Sequence, residues 1–332
     1  MNNFQTFKGK NVLITGGAGF IGSNLAIKLV ELEANVTIID SLIPEYGGNL
    51  FNLEPIKNRV KLNISDVRDE HSMKYLVKNQ DYLLNLAGQT SHIDSMNDPF
   101  NDLEINTKSQ LFILEACRKF NPEIKIVFAS TRQIYGKPQY LPVDENHPLH
   151  PVDINGINKM AGEWYHIVYN DVYNIRSVVL RLTNTYGPRM RVKDARQTFL
   201  GIWIKNVIEG NKILVFGDGK QIRDFNYVDD VVDAILLAAE SDDVNGMIFN
   251  LGGDSPISLE DTAKLMIEIA HKSSYELVPF PAERKAIDIG DYYANYSKIR
   301  SKLGWQPRVS LKEGLELSID YYKEFHKHYW ES

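Results

Sequence analysis

Apolar residues in the first half of the chain fall into short unbroken runs, separated by stretches with helical spacing. Residues 11–15 form the first run. Residues 36–40 form a second, β-branched one that ends in Asp40. The theme repeats at 60–64, 82–87, 124–129 and 177–182. Between the first two runs, Ile21, Leu25, Leu29 and Leu32 recur at three- and four-residue intervals, which predicts a helix over 20–32. Residues 103–120 and 159–173 are read as helices as well. Strands that are apolar at every position need cover on both faces. The alternation therefore predicts an α/β fold with a Rossmann-type, doubly wound parallel sheet.

After Tyr186-Gly187-Pro188 the texture changes. Turns become dense at Gly217-Asp218-Gly219, Gly252-Gly253 and residues 279–281, which predicts a smaller C-terminal α/β lobe. The expected division is 1–185 and 186–332, with 225–252 returning to the first part through the runs at 227–239 and 247–251. No Ser/Pro/Gly-rich linker separates the lobes, so they are expected to pack closely.

Length and charge narrow the function. The 332 residues are roughly two domains' worth. With 37 Lys and Arg against 43 Asp and Glu, the net charge of −6 excludes a dedicated binder of nucleic acid or anionic membrane, though not a local basic pocket. No apolar run approaches the ~20 residues that span a bilayer, and residues 1–10 hold no signal core. A cytoplasmic protein is expected, and the Asn-x-Ser sequences at Asn63 and Asn295 are not read as glycosylation sites. The single cysteine, Cys117, excludes a disulfide framework and a cysteine-rich zinc site. It is read as core, and no metal site is expected.

The strongest local signal is a glycine loop. Gly16, Gly19 and Gly22 follow a predicted strand and open a predicted helix. The first permits a tight turn, the second lets backbone approach a pyrophosphate, and the third allows close helix–strand packing. A helix N-terminus there offers free N–H groups to the anion. Asp40, about 18 residues on from Gly22, is placed to hold both ribose hydroxyls, which favours NAD over its 2′-phosphorylated form. Asp66-Val67 follows the third strand, where a carboxylate can accept from an adenine amine. Leu86, Ala87 and Gly88 end the fourth with small residues where a cofactor crosses the sheet.

These blocks resemble the extended short-chain dehydrogenase/reductases, specifically the NAD-dependent nucleotide-sugar epimerase/dehydratase branch. The resemblance continues through Ala129-Ser130-Thr131, Ile134-Tyr135-Gly136, Asn184-Thr185-Tyr186-Gly187-Pro188-Arg189, Arg223-Asp224-Phe225, Val228-Asp229-Asp230 and Leu303-Gly304-Trp305-Gln306-Pro307. It implies bound NAD, transient oxidation of a sugar hydroxyl, and a division into an NAD-binding domain and a nucleotide-sugar-binding lobe. It carries Phe20, Ile21, Val67 and Gln89 into the cofactor site with the residues above. Thr131 matches the residue that hydrogen-bonds the reacting hydroxyl. Lys159 matches the lysine that holds the nicotinamide ribose and lowers the base's pKa.

The tyrosine that should precede Lys159 by four residues is Asn155. An amide is not a base. His92 is the first candidate to replace the tyrosine, since imidazole exchanges protons near neutral pH. The alternative for it is a hydrogen-bonded loop histidine. Arg132 and Gln133 stand where family dehydratases carry Asp-Glu, so 4,6-dehydration and decarboxylation lose their expected residues and epimerisation, of 4- or 2-type, remains. Arg132 either recognises an anionic group such as a uronate carboxylate or fixes its loop.

The resemblance also implies a nucleotide diphosphate sugar as partner, met by Asn184, Arg196, Arg223 and Arg284. The alternative for Arg223 is an ion pair with Asp224 or Asp229. Residues 102–120 and 159–173 correspond to the family's homodimer helices, unless the second lobe covers them. Against the epimerase stand two rivals: a catalytically silent nucleotide-sugar or NAD binder, and a dehydratase with relocated acid and base.

Overall fold

The computed structural model describes residues 4–196 and 198–330. Residues 1–3 of the segment read for a signal core, and Gln197 beside Arg196, lie outside the described residues.

The chain opens with β1 (Asn11–Thr15), α1 (Phe20–Glu31), β2 (Asn35–Asp40), β3 (Lys61–Ile64), α2 (Glu70–Leu76) and β4 (Tyr82–Asn85). Then come α3 (His92–Asn97), α4 (Pro99–Leu103), one π-helical turn at Glu104–Lys108, and α5 (Ser109–Phe120). β5 (Lys125–Thr131), α6 (Ile154–Tyr173) and β6 (Ser177–Leu182) complete this half.

β7 (Asn184–Tyr186), α7 (Phe199–Glu209), β8 (Ile213–Phe216), β9 (Ile222–Arg223) and β10 (Phe225–Tyr227) follow. α8 (Val228–Glu240) and β11 (Ile248–Asn250) come next. The remainder is β12 (Ile257–Ser258), α9 (Leu259–Ala270), β13 (Tyr275–Val278), α10 (Ala282–Ala286), α11 (Ser297–Leu303) and α12 (Leu311–Phe325).

Seven strands form one sheet in the order β11-β6-β5-β4-β1-β2-β3, and every pairing is parallel. Both faces are covered, as the unbroken apolar runs require. Val12 and Ile14 enter the core that α1 and α8 share, with Leu25, Leu29 and Ile235. Leu13, between them, enters the opposite core with Met73, Ile113 and Cys117. Burial pushes the Cys117 thiol up to about 12, so this cysteine is inert core. The second lobe has its own core around Trp203, Ile204, Val215, Met266 and Leu315. The run at 247–251 does rejoin the first sheet, as β11 on the edge of β6.

Two helices depart from the sequence reading. The stretch read as one helix over 103–120 begins at Pro99 and is interrupted by the π turn, which aims Asn106 at the loop after β4. The helix read over 159–173 starts five residues earlier. Asp153 caps it, its carboxylate accepting from the Gly156 N–H at 2.6 Å. Asn155 and Lys159 thereby share one helix face, four residues apart.

The outer face formed by α4, α5 and α6 is not covered by the second lobe. Phe100 is 78% exposed and Val172 62%, with Leu103, Trp164 and Val168 exposed beside them.

Candidate active site

The carboxyl ends of the central strands open onto a cleft of about 660 Å³, a size typical of ligand sites. It lies where the strand order reverses, between β1 and β4, and is also lined by Asp194, Ala195, Arg196, Thr198 and Phe199 of the second lobe.

The glycine loop forms one end. Gly16 has φ +69°, and a Cβ there would stand 3.0 Å from the Ala87 backbone. A Cβ on Gly22 would fall 2.2 Å from the Gly16 carbonyl oxygen. α1 has no side-chain cap, so its first N–H groups, at Phe20, Ile21 and Gly22, are left for the cleft they line. Asp40 closes β2 with one oxygen accepting from Ala18 N at 2.9 Å and the other from Leu42 N at 2.8 Å. Burial pushes its carboxyl above the ordinary value, against the pull of those N–H groups. Each oxygen keeps a lone pair for a hydroxyl. Val67, Leu86, Ala87 and Gly88 line the next stretch.

Asp66 reaches the cleft already clamped by its own neighbour. Arg68 donates to its two oxygens at 2.9 and 2.7 Å, and these bonds outweigh burial and hold the carboxyl below the ordinary value. Lys159 is buried, donates to the Ala129 carbonyl at 3.1 Å and lies over the Phe128 ring. Burial pulls its amine down to about 8. A Cβ on Gly88 would stand 3.0 Å from this ammonium and 2.8 Å from Asn106 Oδ1. Cradle, ribose acceptor and lysine lie along one wall in the order a dinucleotide needs.

Asn155 lines the cleft with its amide nitrogen already engaged. Its amide donates to the Gln89 carbonyl at 2.8 Å and to Asp102 Oδ2 at 3.1 Å. Asn158 donates to the other Asp102 oxygen at 2.7 Å. Asn155 is thus a buried joint between α6, α4 and the loop after β4.

His92 stands at the cleft as the first residue of α3. Its Nδ1, buried, lies 3.0 Å from Asp153 Oδ2. The same oxygen accepts from Gln133 Nε2 at 2.7 Å. Burial would raise the Asp153 carboxyl, but His92, Gly156 and Gln133 together hold it below the ordinary value. The ring's remaining nitrogen, Nε2, is left for the cleft. Thr131 lines the same cleft at the end of β5, accepting from Gln133 N at 3.2 Å. Its neighbours Ser130 and Arg132 also reach it, and Ser130 Oγ and Arg132 Nε are buried without a hydrogen-bond partner.

Three candidates are corrected. Gln133 does not line the cleft. It stands behind Asp153, because the short 3₁₀ turn after Thr131 carries it inward. Gln89 is buried away from the cofactor wall, its side chain donating to Ser91 O at 2.8 Å, and Thr90 and Ser91 line the cleft instead. Arg223 is buried outside the cleft. It donates to the Ile222 carbonyl at 2.9 Å and approaches Asp288 at 3.6 Å, not the Asp224 or Asp229 expected as ion-pair partners.

Asn184, Arg196 and Arg284 do line the cleft. Asn184 donates to the Asp224 carbonyl at 3.0 Å, and Arg196 stands 3.4 Å from Asp94. Sequence reasoning missed Asp153. Its signal was available: an aspartate directly before a helical run is a cap, and a cap lies beside whatever the helix presents.

The family model for GDP-mannose 4,6 dehydratase matches residues 13–317. The chain is 34% identical to a putative UDP-glucose 4-epimerase of Methanocaldococcus jannaschii, over 94% of this chain and 98% of that one. It is 32% identical to the human dTDP-D-glucose 4,6-dehydratase, over 96% and 91%. It superposes on the structure of a Thermus thermophilus UDP-glucose 4-epimerase in complex with NAD, with a TM-score of 0.83 at 30% identity, covering 94% of this chain and 99% of the other.

Proposed function

Because the chain belongs to the NAD-dependent nucleotide-sugar epimerases and dehydratases of the extended short-chain dehydrogenase/reductase family, we propose that it is an epimerase whose proton acceptor is His92. The observation that carries this is the 3.0 Å approach of His92 Nδ1 to Asp153 in the cleft that Thr131 and Lys159 line. Its relatives are both epimerases and dehydratases, and Arg132-Gln133 leaves this chain without the carboxylates of a dehydratase.

Bound NAD, the family's cofactor, would supply a reversible hydride acceptor for a sugar carbinol. Gly16 to Gly22 would hold its pyrophosphate and Asp40 its adenosine ribose. Lys159, largely cationic at neutral pH, holds the second ribose. Thr131 hydrogen-bonds the reacting hydroxyl. His92 Nε2 accepts that hydroxyl's proton as the carbinol is oxidised. Nδ1–H meanwhile faces Asp153, which fixes the tautomer. Gln133 holds the carboxylate in place behind it. On the return step the ketosugar presents its opposite face for reduction, and His92 gives the proton back to the carbonyl oxygen. Arg196 and Arg284 meet the diphosphate from the second lobe. The exposed apolar face of α4, α5 and α6 supports a homodimer, and light scattering of the purified protein tests it.

The experiment incubates the purified, NAD-loaded protein with a panel of nucleotide sugars, uronates and deoxysugars included. Absorbance at 340 nm and product NMR are followed. A transient reduced-cofactor band with an isomeric product is expected. A product lighter by one water would replace the epimerase with a dehydratase. Tight binding with neither band nor product would make the chain a silent binder.

A further inference from the structure

Arg132 is a cation without a counter-ion. It directly follows Thr131, lines the cleft and lies with its guanidinium 5.7 Å over the Tyr292 ring. Its Nε is buried without a hydrogen-bond partner, and no ion pair within 4.0 Å is found for it among the described residues. The two carboxylates nearest in the field are committed elsewhere. Asp224 accepts from Thr183, from Ala294 N at 3.0 Å and from Gly253 N at 3.3 Å. Asp153 accepts from Gln133 and Gly156, with His92 Nδ1 3.0 Å from it. Arg223, the neighbouring guanidinium, adds positive charge, and its own donors are spent on backbone carbonyls and Gln221.

An unpaired guanidinium in a largely buried position is costly, and a ligand anion relieves that cost. The position tells which anion. Arg196 and Arg284, the cations proposed above for the diphosphate, line the cleft from the second lobe. Arg132 instead stands at the reacting end, one residue from Thr131 and on the same turn that carries Gln133 to Asp153. A planar fork at that place matches a carboxylate in bidentate fashion.

We propose that Arg132 binds a carboxylate on the sugar itself, so that the substrate is a nucleotide-linked uronic acid. This rests on the nucleotide-sugar reading above and goes beyond it.

The test titrates NAD-loaded protein calorimetrically with matched pairs. These are UDP-glucuronate against UDP-glucose, dTDP-glucuronate against dTDP-glucose, and GDP-mannuronate against GDP-mannose. In the pair whose nucleotide is accepted, the uronate is expected to bind at least about 10-fold more tightly. Arg132→Gln is expected to bring that ratio to near one. Arg132→Lys should restore it only in part, because an ammonium lacks the fork. Equal affinity within an accepted pair overturns the proposal and leaves the epimerase reading standing. So does a preference that survives Arg132→Gln. Failure of every pair to bind overturns both. A uronate preference without turnover supports this proposal and removes the epimerase. The comparison within each pair uses the unaltered protein, so the proposal is testable even if a variant does not fold.

Discussion

The two ends of the cleft are built on opposite plans. At the dinucleotide end the protein satisfies its own charges: Asp40 is held by two backbone N–H groups and Asp66 by Arg68. At the sugar end it does not, since Ser130 Oγ and Arg132 Nε are buried without partners. The first end is a stable cradle that exists before its ligand arrives. The second keeps unmet bonding capacity at the place where chemistry is proposed, as expected where stability is traded for function.

The sharpest way to break this contrast is His92→Ala. Turnover is expected to fall by about 10²- to 10⁴-fold, the worth of a general base, while NAD stays bound on purification. Loss of NAD from this variant would show that the two ends are not separate. Asp40→Ala is the reverse test. NAD affinity, measured by fluorescence titration, should fall about 10- to 100-fold. The variant should also unfold more easily, because two buried N–H groups lose their acceptor.

Asp153→Asn is smaller and sharper. Turnover should drop about tenfold with NAD affinity unchanged, because the imidazole loses the partner that fixes its tautomer. A fold defect would lower both. The carboxyl of Asp153 is held below its ordinary value, so its contribution to stability is full above about pH 4. It is lost as the pH falls through the lowered pKa. Denaturant melts of wild type and variant should therefore converge in acid. The smallest effect belongs to Arg132→Met, which removes the uncompensated cation. It should stabilise the sugar-free protein by about 1 kcal/mol, read as a higher midpoint in urea.

The same contrast explains what the sequence could tell. The cofactor end is written locally. The glycine loop, Asp40 and Leu86–Gly88 each follow a strand, and their roles depend on position along the chain. The sugar end is assembled from residues far apart, with His92 meeting Asp153 across 61 positions. Gln133, Gln89 and Arg223 occupy the expected places in the chain, yet their side chains turn inward. A short 3₁₀ turn, a loop carbonyl and a cluster of backbone acceptors decide those directions, and no periodicity records them. Asn155 was legible as a departure. That its amide would be consumed by Gln89 and Asp102 was not.

The return of β11 to the edge of β6 has a consequence for how the protein is made. As the chain leaves the ribosome, the parallel sheet is still missing its last strand while α7 and β8 of the other lobe are already present. Until Ile248–Asn250 arrives, β6 presents an unpaired edge to its surroundings, a template for wrong pairing. Neither lobe can then be completed, cut away or exchanged as a unit. A fragment ending near residue 186 should be prone to aggregate.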